Sequence, residues 1–317
     1  MSASPVICVG GENLIDHVTR DGEVSALAGG SPFNVAMALG RQQADVHYLT
    51  PISTDTWGDM LADALLASGV TLSGGRVDAP TTLARVTVTK GIPSYVFERD
   101  GTAERRVTAA SLAAAMPDGT GALHTGSLAL TDGDDADAWE ETCKTAHTAG
   151  TVVSLDPNVR LSVITDLDTY RARIFRMMKA VHILKLSDED LEGLCPDMPQ
   201  DDALAHVRSE TSAALLVMTK GPEGAIAMRG DLTVTIPAPP VPGLVDTVGA
   251  GDTFMATLLA RLAQTGALAP GALETLDAAQ VEALIRRAGM AAAINCSRAG
   301  CNPPTLQDLD AAMASAS

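Results

Sequence analysis

The segment DTVGAGDTFMATLLARL, residues 246–262, sets a carboxylate at the mouth of an anion trap. Gly249, Ala250 and Gly251 are small enough for successive backbone N–H groups to turn inward as a nest. The apolar, helix-patterned residues that follow add a positive helix end. Asp252 stands where a phosphate would otherwise sit. Acidic residues are common at helix starts, so a capped helix by itself accounts for this stretch. Phosphoryl transfer accounts for it too: the amides stabilise the phosphoryl group as charge develops, and the carboxylate orients and deprotonates an attacking hydroxyl. The helix dipole is expected to favour ionised Asp252. The chain has no Walker A loop and no GxGxxG, so neither fingerprint explains the nest.

Two further stretches offer groups suited to a polyol. In AGGSPFN, residues 28–34, Ser31 is a good N-cap and Pro32 suits the first helical turn. A helix start requires neither the paired Gly29 and Gly30 nor Asn34. Paired glycines let a ligand approach the backbone, and the Asn34 amide both donates and accepts. The third stretch, GGENLID at residues 10–16, follows the first apolar run. Ligands in open α/β sheets sit beyond the carboxyl ends of strands, which places Asp16 to accept hydroxyls, although a solvated loop carboxylate would look the same.

These residues need a scaffold, and the pattern supplies one. Short apolar runs at 6–9, 46–49, 151–155, 181–184 and 214–218 read as buried strands. Helical periodicity at 33–42, 56–68, 134–149 and 167–178 alternates with them, and two Ala-rich helices are expected at 252–265 and 278–295. The alternation predicts an α/β fold with a parallel sheet covered by helices. Residues 81–89 and 94–108 break the pattern with period-two alternation and an Asp100-Gly101 turn signal. That region is either an edge extension of the sheet or a lid over a site at the strand ends.

Composition removes other classes. A formal charge of −17 argues against nucleic-acid binding and means that any phosphate site must supply its own positive potential. Only five of the 22 basic residues are lysines. The five cysteines are scattered, and the six histidines include no HExxH pair, so neither disulfides nor a zinc site is expected. The acidic tract at 132–137 lacks the ligand spacing of a calcium loop and reads as a solvated helix start. No apolar run is long enough to span a membrane and no signal peptide is evident, so a cytoplasmic protein is expected.

Together these segments resemble the ribokinase/PfkB family of carbohydrate kinases across the whole chain. The resemblance rests on AGGSPFNVAMALGRQ and DTVGAGD, supported by GENLID, RDGTAERR, HTGSLAL, LDPNVR, LKLSDED and NCSRAGCNPPT, which look like its fructokinase branch. It implies a three-layer parallel sheet with helices on both faces and a small β lid from about 13–29 and 78–108, all within one domain of residues 1–317. It implies ATP-dependent phosphorylation of a sugar hydroxymethyl, with Asp252 as base and Gly249, Ala250 and Gly251 as anion hole. Asp16, Gly29, Gly30, Asn34, Phe97, Arg99 and Arg160 would meet the sugar. Asn158, Lys185, Ser187, Thr219, Gly221, Gly224 and Asn295 would line the nucleotide side. Mg²⁺ would arrive with ATP, with Asp190 as a candidate ligand. K⁺ would sit among Asp246, Val248, Asn295, Arg298 and Gly300, mostly on backbone carbonyls. Pairing of lids would make a homodimer.

The sequence departs from the ribokinase pattern at Leu14, where Asn is common, which argues against ribose. It also departs at Asp190, where the family carries Glu. Fructose is the expected substrate. Kinases for the sugar acid 2-keto-3-deoxygluconate place arginines like Arg99 and Arg160 on the carboxylate, and Tyr95 shares a strand face with Phe97, so that acid is the alternative. A nucleoside kinase and a non-catalytic sugar sensor are more distant readings.

Overall fold

The computed structural model describes residues 5–20, 23–89, 92–241 and 243–315. The chain opens with β1 (Val6–Val9), then β2 (Leu14–Arg20) and β3 (Glu23–Gly29), before α1 (Ser31–Arg41) and β4 (Val46–Tyr48). Short strands β5 (Ile52–Ser53) and β6 (Arg76–Val77) flank α2 (Thr56–Ala67). Next come β7 (Thr82–Thr89), β8 (Ile92–Glu98), α3 (Ala109–Ala115), β9 (Thr120–Gly126), α4 (Gly133–Thr148) and β10 (Val152–Asp156). They lead to α5 (Leu167–Met178), β11 (Ile183–Ser187), α6 (Asp188–Leu194), α7 (Gln200–Glu210) and β12 (Leu215–Thr219). The last elements are β13 (Ala225–Arg229), β14 (Leu232–Ile236), α8 (Ala250–Gln264), α9 (Pro270–Leu273), α10 (Ala278–Cys296) and α11 (Leu306–Ser315).

The large sheet has the order β14-β13-β12-β11-β10-β9-β1-β4. From β12 to β4 every pairing is parallel; β13 and β14 add an antiparallel edge. Central strands bury both faces, which is why they read as unbroken apolar runs. In β1, Ile7 and Val9 join the core beneath α1, α2, α8 and α10, while Cys8 joins the core beneath α4 and α5. β9 lies in the middle of the sheet, yet Gly121, His124 and Thr125 interrupt its apolar run and hide it from a periodicity search.

A second sheet, with order β3-β2-β7-β8, is separate from the first, so the period-two region is not an edge extension. β7 and β8 pair antiparallel, and residues 90–91 between them lie outside the described part. Asp100-Gly101 does not connect them. β8 ends at Glu98, and after Gly101, with φ 68°, the chain enters a 3₁₀ turn at Ala103–Arg105. The side chain of Tyr95 also lies outside the described part. The acidic tract does begin α4, but Asp132 and Asp135 pair with Arg105, and Asp137 pairs with Arg173. Among the described residues no helix is long and apolar enough to cross a membrane, and all five cysteines are free thiols.

Candidate active site

α1 and α8 begin at the same place, and their first turns share one carboxylate. Asp252 Oδ1 accepts from Ser31 Oγ at 2.7 Å, and Oδ2 accepts from Asn34 Nδ2 at 2.8 Å. Two glycines allow this convergence. Gly30 has φ 111°, and a Cβ there would stand 2.5 Å from the Glu12 carbonyl oxygen. Gly249 has φ 74°, and a Cβ there would stand 2.3 Å from Cys301 Sγ. Only glycine tolerates both the conformation and the contact. Asp252 is buried, and burial pushes its pKa up, opposed by the Ser31 and Asn34 donors, Lys185 and Arg160. Desolvation thus outweighs the helix dipole expected to favour the ionised form, and it makes Asp252 a stronger base once ionised.

Asp252 and the Gly249–Gly251 nest face a cleft of about 1080 Å³ at the carboxyl ends of the strands. Asp16, Gly30, Asn34, Phe97 and Arg160, each expected from the sequence to meet a sugar, line its other side. Burial lifts the Asp16 pKa to about 6. A Cβ at Gly29 would come within 2.7 Å of Asp16 Oδ2, so Gly29 makes room for that carboxylate. Arg99 is a correction. It does not line the cleft; its buried guanidinium donates through Nε to Glu104 at 3.1 Å and through Nη1 to Thr131 at 3.0 Å. Two non-glycine residues with positive φ, Ser127 at 58° and Asn158 at 42°, line the cleft, and such strain clusters at functional positions.

Behind the nest, Lys185 Nζ lies 2.6 Å from Asp156 Oδ2, with both side chains buried. Ser187 caps α6 reciprocally with Asp190. Asp190 is committed to the backbone, since Oδ1 accepts from Val159 N at 2.6 Å and Oδ2 from Ser187 N at 2.7 Å. It is a structural carboxylate and a poor candidate for the direct Mg²⁺ ligand expected of it. Among the described residues no group of three or more His, Cys, Asp or Glu could hold a metal ion. The described residues therefore offer no carboxylate cage.

A second pocket, about 550 Å³ and largely apolar, adjoins the cleft. The two share Thr219, Gly221, Thr247, Ala250 and Gly251, so the nest stands at their junction. Gly224 lines this pocket as expected, but Asn295 lines neither space. The Asn295 amide instead ties two loops, donating to the Val248 carbonyl at 2.8 Å and accepting from Asn302 N at 2.8 Å. Asp246 reinforces them by accepting from Val248 N and Gly300 N, each at 3.0 Å. Arg298 pairs with Asp308.

Sequence reasoning missed several groups here. Glu12 is buried in the cleft wall, accepts from Ser31 N and Ala129 N, and burial lifts its pKa to about 7. The apolar pocket's walls, including Pro237, Pro239, Phe254 and Ile285, gave no chemical signal, because a proline-rich loop and a helix face look like ordinary structure.

An apolar pocket that joins a polar cleft at a buried carboxylate suits a phosphotransferase with an alcohol acceptor. The family model described as pfkB family carbohydrate kinase matches residues 9–308, and the chain belongs to that family. It is 40% identical over 280 residues to a fructokinase from Rhizobium leguminosarum bv. trifolii, covering 86% of this chain and 84% of that protein. A fructokinase from Xylella fastidiosa, solved with bound ATP, superposes with a TM-score of 0.89 at 25% identity over 99% of both chains. The aminoimidazole riboside kinase of Salmonella enterica superposes at 0.81 with 23% identity, covering 98% of this chain and 99% of that one, which shows the fold alone.

Proposed function

We propose that this chain is an ATP-dependent fructokinase. The observation that carries the reading is Asp252, buried at the junction of an apolar pocket and a polar cleft with an amide nest beside it. The apolar pocket takes the adenine and the cleft takes the sugar, so the γ-phosphoryl group meets the nest where the two spaces join. Asp252 accepts the proton of a sugar hydroxymethyl as its oxygen bonds to the γ-phosphorus and the bond to the bridging oxygen breaks, releasing ADP. The N–H groups of Gly249 and Gly251 and the Lys185 ammonium offset charge on the transferring group, whereas the Ala250 N–H is already given to the Thr247 carbonyl at 3.2 Å. Mg²⁺ arriving with ATP would neutralise charge on the phosphates; among the described residues no group of three or more His, Cys, Asp or Glu could hold it.

Fructose is favoured by the 40% identical fructokinase and by the placement of Arg99. With Arg99 paired to Glu104 and outside the cleft lining, only Arg160 of the two expected clamp arginines reaches the cleft, which leaves a sugar carboxylate half held. The cleft's polar rim of Asp16, Asn34 and Arg160 suits hydroxyls better than a nucleoside base. An ADP-release assay with D-fructose, 2-keto-3-deoxygluconate and adenosine tests this. Turnover of fructose at least tenfold above the others in kcat/KM is expected, and no turnover of fructose sinks the reading.

Two further elements belong to the same proposal. The loops tied by Asp246 and Asn295 would hold a monovalent cation beside the nest, so K⁺ is expected to raise the rate over Li⁺ at equal ionic strength. The four-stranded sheet acts as a lid. Exposed Leu27 and Val96 on its edge strands β3 and β8 support lid-to-lid pairing, which light scattering would report as a dimer.

A further inference from the structure

Ser31 is of the residue type that caps helices, yet α1 does not use it so. The N-cap of α1 is Gly30, and no side chain caps that end. The Ser31 hydroxyl, buried with the residue, instead makes its hydrogen bond to Asp252. Its backbone N–H is also committed, donating to Glu12 Oε1 at 2.9 Å. Glu12 Oε2 accepts from Ala129 N at 3.3 Å, so one buried carboxylate joins the start of α1 to the turn after β9. Glu12 is 1% exposed and has the Gly30 backbone closed over its carbonyl, which leaves it little freedom to move.

We propose that Ser31 is a positioning residue, anchored by Glu12, whose hydroxyl orients the base Asp252 toward the sugar cleft. The inference rests on the reading of Asp252 as the base. Without the hydroxyl, Oδ1 loses its fixed donor and the carboxylate is held by Asn34 alone. The groups facing Asp252 from other elements are Lys185 on β11, Asp156 at the end of β10, Arg160 beyond it, and Cys301 after α10. A change at Ser31 leaves all four in place. A donor to the ionised carboxylate lowers its pKa, so removing that donor raises it, and activity that needs the ionised form then fails at a higher pH.

The test compares pH profiles of kcat and kcat/KM for the wild type, Ser31→Ala, Ser31→Thr and Asp252→Asn, with ATP saturating and fructose varied. Ser31→Ala is expected to lower kcat about tenfold, to change KM for fructose less than about threefold, and to move the acidic limb up by about one pH unit. Ser31→Thr, which keeps the hydroxyl, is expected to restore the limb. If Ser31→Ala does not fold, Ser31→Cys, a near-isostere with a weak donor, takes its place with the same limb shift expected. An unmoved limb with unchanged kcat, or a loss confined to KM, overturns the inference. Wild-type turnover by Asp252→Asn overturns the base reading itself. An inactive Asp252→Asn beside a Ser31→Ala with wild-type rate and limb overturns the role of Ser31 alone.

Discussion

Lys185 sets its ammonium 2.6 Å from Asp156 Oδ2 and directly behind Gly251, where an added methyl would come within 3.1 Å of it. Burial pulls the Lys185 pKa down, but the carboxylates of Asp156, Asp190 and Asp252 override that and hold it above an ordinary lysine. Breaking such a buried pair costs about 3 to 5 kcal/mol because the remaining charge is uncompensated. Lys185→Met is expected to lower the melting temperature and kcat together. Lys185→Met/Asp156→Leu is expected to regain much of the stability and none of the rate. Thermal melts beside ADP-release kinetics separate the two, and recovery of rate in the double variant would show the pair to be structural only.

Gly249→Ala faces both a left-handed backbone and Cys301 Sγ at 2.3 Å. The nest is expected to distort, lowering kcat about 10²-fold or more, as loss of an oxyanion donor does. Adding Cys301→Gly relieves the contact but not the backbone strain of about 1 to 2 kcal/mol, so partial recovery is expected. Full recovery would mean that the clash, and not the conformation, is what matters.

Asp16 titrates at about 6 because burial lifts it from 3.8. The folded state therefore holds this proton between those values; its stabilising contribution is complete below pH 3.8 and is lost as pH rises through 6. Binding runs the other way, since an ionised carboxylate accepts hydroxyl donors at both oxygens and a protonated one does not. The KM for sugar is expected to rise as pH falls below 6, by up to about tenfold per unit. Glu12 sits at about 7, so the assignment needs Asp16→Asn, whose KM should be high and flat across this range. A persisting inflection near 6 in that variant would move the assignment elsewhere.

Trp57 on α2 meets His17 on β2 edge to face, with ring centroids 6.4 Å apart, whereas Trp139, the chain's other tryptophan, is buried. If the four-stranded sheet moves over bound sugar, Trp57 emission should change with fructose concentration and the change should vanish in Trp57→Phe. A fructose-saturated enzyme with unaltered emission argues for a static sheet.

The sequence revealed groups that carry chemistry in their own type and spacing. Asp252, the Gly249–Gly251 nest, Gly30 and Asn34 could be named because a nest and a polyol site need small residues and amides at fixed offsets. The parallel strands were legible because burial on both faces writes an unbroken apolar run. What stayed hidden depended on distant partners. Arg99 looks like any lid arginine until Glu104 and Thr131 are seen to occupy it. Glu12 sits in a motif whose obvious carboxylate is Asp16, and Ser31 reads as a cap until its hydroxyl is traced across 221 residues to Asp252. The apolar pocket was invisible because its walls are chemically ordinary and its function lies in shape.

Asp252 is buried, with both oxygens engaged by α1 at the wall of the cleft. On the proposed reading, a nucleotide that binds before any sugar meets a carboxylate already held by two α1 donors, and the attacking hydroxyl must itself enter that shell. The first turns of two helices would then act as a safeguard against idle hydrolysis, tying consumption of ATP to the arrival of its acceptor.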